Sequence, residues 1–253
     1  MDGAAFSRMI LSASAAIELK KQKINELNVF PVPDGDTGTN MSMTLGAAAQ
    51  DLKKKSPESL TKAADMTASA LLRGARGNSG VILSLLFRGL SKGLKGKLEA
   101  DGKDFADALT AGVEAAYKAV MKPAEGTILT VSRLTADAAR ALAADDANLE
   151  SVLLGSIETA RAALENTVNQ NPVLKKAGVV DAGGMGFVVI LEGMLSSLQG
   201  KDIVSPSDSG EVKEQADFTD FATEDITFAY DTVYIVRKKD ENVNLEPLRV
   251  FLD

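Results

Sequence analysis

Two carboxylates separated by a single glycine stand within residues 28–40, which read Asn-Val-Phe-Pro-Val-Pro-Asp-Gly-Asp-Thr-Gly-Thr-Asn. Gly35 permits unusual backbone angles, so a turn there can direct both Asp34 and Asp36 at one cation. Hydroxyl, amide and N–H donors follow where a helix can begin, and such donors bind phosphate oxygens. They belong to Thr37, Thr39 and Asn40. The segment therefore predicts a metal-bridged phosphate site.

This carboxylate loop, residues 28–40, has two other interpretations. A turn that caps the following helix is the commoner use of a lone Asp-Gly-Asp. A calcium loop of the EF-hand kind, starting at Asp34, needs glycine at its sixth position and glutamate at its twelfth. The sequence has Thr39 and Leu45 there. The calcium loop is therefore excluded, and the capping turn stays open.

A second glycine-rich segment, residues 74–80, reads Gly-Ala-Arg-Gly-Asn-Ser-Gly and precedes an apolar run that predicts a helix. Backbone N–H groups at that helix start can cradle phosphate oxygens, and an arginine can add a charge-assisted contact. The residues concerned are Arg76, Asn78, Ser79 and Gly80. Close helix packing through small residues explains the glycines equally well. No Gly-Lys-Ser or Gly-Lys-Thr occurs, so this glycine loop is not a Walker A motif.

Two weaker segments complete the set, residues 125–128 and 181–186. Gly126 and Thr127 also fit an ordinary helix start, and the glycines of the second segment fit a tight turn. That segment does not spell the dinucleotide fingerprint Gly-x-Gly-x-x-Gly. Arg133 either reaches a phosphate or pairs with a surface acid, which is the commoner case. Each of these loops is weak evidence for a phosphate site alone, and they support one by occurring together.

The composition narrows the chemistry to hard oxygen ligands. The chain contains no His and no Cys, which excludes Ser-His-Asp catalysis, thiolate nucleophiles and the common structural zinc sites. Its net charge of -7 argues against nucleic acid as a partner. With no apolar run long enough to span a bilayer and no signal peptide pattern, a cytoplasmic location is expected.

The elements that must position these loops are helices. Apolar residues recur at helical spacing through most of the first 200 residues, which predicts an all-α domain, a bundle with short connections. Ser56 and Pro57 are expected to cap and open the helix that follows. Further helices are predicted at 79–95, 104–121, 127–144, 148–168 and 184–199. Residues 201–225 read as a linker, and 226–253 as the start of a truncated β/α domain.

Residues 27–41 resemble the signature of the ATP-binding domain of bacterial fatty acid kinases, which is related to the L-type nucleotide-binding domain of dihydroxyacetone kinase. Residues 74–84, 125–131 and 180–186 match in the same order, so the resemblance spans about residues 5–200. It implies an antiparallel bundle of about eight helices, with ATP or ADP and two magnesium ions held by loops at one end. The strand expected from residue 226 resembles the start of that kinase's middle domain.

The resemblance also assigns roles to residues. Asp34 and Asp36 become metal ligands, and Asn28 becomes a third at a position where the dihydroxyacetone branch has an acid. Arg76, from its charge and its place in the glycine loop, is expected to join the two aspartates as a catalytic residue. The phosphates and the nucleotide pocket fall to Thr37, Thr39, Asn40, Asn78, Ser79, Gly80, Gly126, Thr127, Asp181 and Gly183.

The implied reaction is transfer of the ATP γ-phosphoryl group to a fatty acid held by a separate binding protein, giving acyl phosphate. A carboxylate acceptor is already ionised at pH 7, so the missing His is compatible with this chemistry. Transfer to dihydroxyacetone or another small hydroxy compound carried by another subunit is the alternative, and a non-catalytic ADP-binding scaffold is a third hypothesis. The resemblance also allows a homodimer formed through the downstream domains.

Overall fold

In a computed structural model, the structure describes residues 1–57, 59–201 and the single residue Pro247. Contacts divide the chain into two units, Met1–Ala222 and Thr223–Asp253. The expected linker at 201–225 and the expected β/α fragment at 226–253 fall outside the described residues, apart from residue 201 and Pro247. Both stay predictions.

Nine α-helices make up residues 1–57 and 59–201, and the all-α prediction is confirmed. They are α1 (Gly3–Glu26), α2 (Thr37–Lys55), α3 (Leu60–Gly74), α4 (Gly77–Gly93), α5 (Gly102–Ala119), α6 (Ile128–Asp145), α7 (Leu149–Gln170), α8 (Pro172–Ala177) and α9 (Ala182–Leu198). The last five predicted helices match α4, α5, α6, α7 and α9 to within two residues at each end.

The prediction that Ser56 caps α3 is wrong. Ser56 ends α2 instead, in the left-handed conformation with φ 39°, and its N–H donates to the carbonyl of Leu52 at 2.9 Å. The N-cap of α3 is Ser59, whose hydroxyl accepts from the N–H of Lys62 at 3.3 Å. The run of lysines at 53–55 explains the difference, because lysine is a good helix former and its charge suits the C-terminal end of the helix dipole.

The most deeply buried helix is α9, which is apolar on all sides, as a central helix must be. It packs against α1, α2, α6 and α7. Small residues permit the close approach: a β-carbon on Gly193 would lie 2.6 Å from Cα of Ala13 in α1. None of the described helices has the length and apolar character that a bilayer crossing needs.

One end of the bundle collects the predicted loops. From α1 to α7, each helix packs against its neighbour in sequence, and short connections make such neighbours antiparallel. The N-termini of α2, α4 and α6 therefore lie at the same end as the C-terminus of α1. The start of α9 lies there too, since a β-carbon on Gly183 would be 3.3 Å from Cβ of Ile128, the first residue of α6.

Candidate functional site

Asn28, at the start of the carboxylate loop, is buried and uses its whole amide inside the loop. Its Oδ1 accepts from the N–H of Asp36 at 3.2 Å, from the N–H of Thr37 at 2.9 Å and from the hydroxyl of Thr37 at 2.6 Å. Its Nδ2 donates to the carbonyl of Val32 at 2.8 Å. Asn28 thus closes the loop on itself. Metal ligation by Asn28 would require Oδ1 to give up these bonds, and that assignment stays a prediction.

Asn25, one helical turn earlier in α1, holds the first turn of α2. Its Oδ1 accepts from the N–H of Thr39 at 3.0 Å, and its Nδ2 donates to the hydroxyl of Thr39 at 3.0 Å. Sequence reasoning missed this residue. The available signal is a pair of asparagines three apart at the end of a helix, which places both amides on one face.

Asp36 occupies the N-cap position of α2, yet its side chain makes no capping hydrogen bond. Asn25 of α1 binds the N–H of Thr39, the third residue of α2, which an N-cap side chain normally satisfies, and Asn28 binds the N–H of Thr37. The capping interpretation of the Asp-Gly-Asp segment therefore does not hold for Asp36. Its carboxylate lies instead beside that of Asp34.

The neighbouring carboxyl of Asp34 is exposed but partly desolvated by the loop. That desolvation raises its pKa, and the charge of Asp36 raises it further. A cation beside the pair would offset the repulsion that disfavours the ionised form of Asp34. The turn between them depends on Gly35, which has φ 66°.

The carboxylate loop has a donor set that fits magnesium, which takes one or two carboxylates together with phosphate oxygens and waters. Asp34 and Asp36 supply the two carboxylates. Among the described residues, no group of three or more His, Cys, Asp or Glu side chains is placed to hold a metal. The expected number of ions stays a prediction.

The glycine loop, residues 74–80, packs directly on the start of α2. The N–H of Arg76 donates to the hydroxyl of Thr44 at 3.1 Å. A β-carbon on Gly77, which has φ 56°, would lie 2.4 Å from Nδ2 of Asn40, and one on Gly80 would lie 2.4 Å from the same Thr44 hydroxyl. Packing therefore accounts for Gly80, and it brings the first two predicted loops together.

The N-termini of α2 and α4 differ from the other seven in the described part of the chain. Their N-cap residues, Asp36 and Arg76, make no side-chain capping bond, whereas α1, α3, α5, α6, α7, α8 and α9 are each capped by a side chain. The two are neighbours. Their aligned peptide dipoles place partial positive charge at one spot beside the aspartate pair. Arg76 and Asn78 are exposed there, and Ser79 is partly buried.

The third predicted segment, residues 125–128, forms the start of α6 and is held by hydrogen bonds within the segment and the first turn of that helix. Gly126 has φ 73° and donates its N–H to the hydroxyl of Thr130 at 2.9 Å. Thr127 is the N-cap of α6, accepting from the N–H of Leu129 at 3.4 Å. The ordinary helix start is therefore confirmed, and contact of either residue with a nucleotide stays a prediction.

Arg133 pairs with a surface acid, the commoner of its two predicted roles. Its Nη2 lies 3.0 Å from Oε2 of Glu125, and its Nε donates to the hydroxyl of Tyr117 at 3.3 Å. Glu125 also accepts from the hydroxyl of Thr130 at 2.8 Å. The salt bridge thus braces the residue that precedes Gly126.

Asp181 begins the fourth loop and is buried at the N-cap of α9, where its carboxylate accepts from the N–H of Gly184 at 2.7 Å. Burial raises its pKa to about 6, although the N–H groups of Gly184 and Ile128 act in the opposite direction. The glycines that follow lie inside α9 and do not form the tight turn considered above. Asp181 thus joins the starts of α9 and α6.

Contact between Gly186 and α2 completes the assembly, because a β-carbon on Gly186 would lie 2.5 Å from Sδ of Met41. The fourth loop therefore adjoins the first, the first adjoins the second, and the third adjoins the fourth. All four predicted segments meet at one end of the bundle. That the residues of these segments bind ATP is an expectation from the resemblance and stays a prediction.

Several bacterial proteins that are longer than this chain are similar to it in sequence. Protein YloV of Bacillus subtilis is 43% identical over 245 residues, covering 94% of this chain and 44% of that protein. Uncharacterized proteins of Staphylococcus saprophyticus and Staphylococcus epidermidis are 43% and 40% identical over 242 residues each, with the same coverage. The chain thus spans less than half the length of the curated relatives it matches.

A solved structure shares the fold. The dihydroxyacetone kinase of C. freundii in its native form superimposes with a TM-score of 0.56 at 20% sequence identity, covering 76% of this chain and 34% of that one. The family described as the DAK2 domain matches residues 31–196, which include the carboxylate loop from Pro31 onward, the glycine loop and both weaker segments. The chain belongs to the DAK2 domain family.

Proposed function

We propose that this chain is the ATP-binding part of a fatty acid kinase, which transfers the γ-phosphoryl group of ATP to a fatty acid carboxylate presented by a separate binding protein. Its membership of the DAK2 family and its likeness in fold to a dihydroxyacetone kinase support phosphoryl transfer in general. The amino-acid sequence of the carboxylate loop favours a fatty acid kinase over a dihydroxyacetone kinase. The downstream domains and the partner would supply the acceptor.

One observation carries the phosphate site. Asp36 stands at the N-cap of α2 but does not cap it, and the N–H groups of Thr37 and Thr39 are bound by Asn28, just after α1, and by Asn25 in α1. Its carboxylate and that of Asp34 thus lie where the N-termini of two neighbouring helices meet, and neither N-cap residue, Asp36 or Arg76, caps its own helix. Anionic phosphate oxygens suit such N-termini, and a hard cation suits the carboxylate pair.

The chain's own residues would position and neutralise the triphosphate. The start of α2, with Thr39 and Asn40, and the glycine loop would direct N–H, hydroxyl and amide donors at phosphate oxygens. Arg76, exposed at the start of α4, would add charge to the transferring group. Magnesium held by Asp34 and Asp36 would offset the charge that develops on the phosphoryl oxygens.

The acceptor needs no general base in this reaction. An ionised carboxylate oxygen forms the new bond to the γ-phosphorus, while the bond from that phosphorus to the β–γ bridging oxygen breaks and ADP leaves. Since a carboxyl group is deprotonated at pH 7, no proton has to be removed, which agrees with a chain that contains no His. Transfer to a hydroxyl of dihydroxyacetone, the second candidate, is favoured by the fold likeness alone.

Calorimetric titration of the chain with ADP and magnesium tests the binding site. We expect micromolar binding that depends on magnesium and falls at least tenfold in Asp34→Asn and in Asp36→Asn. Asp65→Asn removes the same charge from an exposed position on α3 and serves as the matched control. Binding that is absent in the wild type, or equal in all four proteins, would sink the site assignment.

Turnover requires a second assay, because the acceptor machinery lies outside this chain in the proposal. The full-length protein is incubated with labelled ATP and either a lipid-loaded binding protein or a carrier of dihydroxyacetone. Labelled acyl phosphate supports the fatty acid kinase. Labelled dihydroxyacetone phosphate without acyl phosphate would favour the second candidate, and binding without any product would favour a scaffold.

A further inference from the structure

Two threonines of the α2 N-terminus differ in where their hydroxyl protons point. The N–H of Thr37 donates to Oδ1 of Asn28, so that atom is an acceptor, and the Thr37 hydroxyl at 2.6 Å from it must donate inward. Thr37 is also buried. Its hydroxyl proton is therefore committed to the protein.

Thr39 has the opposite arrangement. Its N–H donates to Oδ1 of Asn25, which fixes the orientation of that amide, because a backbone N–H cannot face the NH₂ group. Nδ2 of Asn25 must then face the Thr39 hydroxyl, at 3.0 Å, and donate to it. The Thr39 hydroxyl thus accepts from Asn25, and its own proton points elsewhere.

Other helical threonines return this proton to the backbone. The hydroxyls of Thr44 and Thr67 donate to the carbonyls four residues earlier, at 2.7 Å and 2.8 Å. Within residues 1–57 and 59–201, no protein acceptor is recorded for the hydroxyl proton of Thr39, which is partly buried at the start of α2. The proton is therefore available to solvent or to a bound ligand.

We infer that Asn25 is a positioning residue that turns the Thr39 hydroxyl into a donor to a phosphate oxygen of the bound nucleotide. This inference rests on the proposed function and adds a residue to it. Asn25 would act through Thr39 and not by touching the ligand. Of the two threonines, Thr39 carries the phosphate contact, and Thr37 holds the loop.

The substitution Asn25→Asp changes the direction of the hydrogen bond between residue 25 and the Thr39 hydroxyl. Aspartate keeps the acceptor for the N–H of Thr39 and is as good a capping residue as asparagine, so the fold should be retained. Because aspartate has no donor, the Thr39 hydroxyl must donate to it and is withdrawn from the ligand. The added negative charge also weakens binding, and its share must be measured separately.

A double-mutant cycle separates the two effects. Affinity for the ATP analogue AMP-PNP with magnesium is measured by calorimetry for the wild type, Asn25→Asp, Thr39→Val and the double variant. Thr39→Val should lose about tenfold, as expected for a hydrogen bond to a charged group. The loss caused by Asn25→Asp should be at least threefold smaller in the Thr39→Val background, where no hydroxyl remains to be withdrawn.

Several results would overturn the inference. An equal loss from Asn25→Asp in both backgrounds would mean that only charge matters. If Asn25→Asp does not fold, the pair Thr39→Ser and Thr39→Val decides: serine should bind within about threefold of the wild type, and equal binding by the valine variant contradicts the proposed contact. A wild type that binds no nucleotide would instead remove the proposed function, and this inference with it.

Discussion

Oδ1 of Asn28 lies 2.9 Å from the backbone nitrogen of Thr37 and 2.6 Å from its hydroxyl oxygen, so a side chain of the loop that follows α1 holds the start of α2. This relationship separates Asp36 from the capping role that its position would otherwise give it. The carboxylate loop is therefore shaped by its own hydrogen bonds before any ligand arrives.

Replacement of Asn28 by alanine should destabilise the protein without nucleotide or magnesium present. The change leaves two backbone N–H groups and the Thr37 hydroxyl without their acceptor, and each buried unsatisfied group costs about 1–3 kcal/mol. We expect the free energy of unfolding in urea to fall by about 2–4 kcal/mol. Asn166→Ala, an exposed asparagine on α7, should change it by less than about 0.5 kcal/mol. An unchanged apo stability in Asn28→Ala would favour a role as metal ligand alone.

Gly77→Ala should weaken nucleotide binding, whereas Gly96→Ala should not. Both glycines have positive φ, 56° and 81°, so alanine costs about 1–2 kcal/mol of stability at either site. Only at Gly77 does the new β-carbon meet a neighbour, Nδ2 of Asn40 at 2.4 Å, while Gly96 has open space around it. Equal nucleotide affinities of the two variants, measured by calorimetry, would show that Asn40 does not contact the ligand.

Gly38→Ala and Gly46→Ala should change stability in opposite directions, although both lie in α2. A β-carbon on Gly38 would lie 2.1 Å from the carbonyl oxygen of Lys21 in α1, so the two helices must move apart, at a cost of about 2–3 kcal/mol. Nothing lies within 4 Å of the corresponding atom on Gly46, where alanine should add about 0.5–1 kcal/mol through helix propensity. Urea unfolding of both variants checks this, and a stable Gly38→Ala would contradict the tight contact.

The buried Asp181 should make the protein less stable as the pH rises from about 4 to about 6. Its folded pKa, about 6, exceeds the ordinary value of 3.8, so the native state holds the proton more tightly than the unfolded chain does. The contribution to stability is complete below the unfolded pKa and is lost as the pH rises through the folded one. Since one pH unit is worth about 1.4 kcal/mol, the wild type should lose about 2 kcal/mol relative to Asp181→Asn between pH 4 and pH 6 and about 3 kcal/mol once the pH is well above 6.

Urea unfolding at a series of pH values measures this difference. Asp2→Asn is the control, because the N–H of Ala5 lowers the pKa of Asp2 and its contribution is lost only as the pH falls. The Asp2 variant should therefore keep the fall in stability between pH 4 and pH 6. A wild type and an Asp181→Asn variant with parallel pH profiles would contradict the burial of a titrating carboxyl.

Helices α4 to α7 were predictable because each carries its own periodic apolar face, so their bounds depend on local pattern. The meeting of the four loops followed from the alternation of helix directions. The hydrogen bonds from Asn25 and Asn28 to the start of α2 were not predictable, since they join residues that are 14 and 9 positions apart in the sequence. Ser56 could end α2 or cap α3, and helix propensity alone does not decide between these two positions.

The hydrogen bonds from Asn25 and Asn28 to α2 also bear on which parts of the molecule open together. Because Asn25 and Asn28 bind N–H groups of α2, and Gly38 sits against the backbone of Lys21, we expect local unfolding of α1 to disrupt the carboxylate loop and the start of α2 as well. The helix and the loop thus form one cooperative unit in the sense used for native-state hydrogen exchange. A nucleotide that binds only the closed form would slow amide exchange along α1, including turns that the ligand never touches.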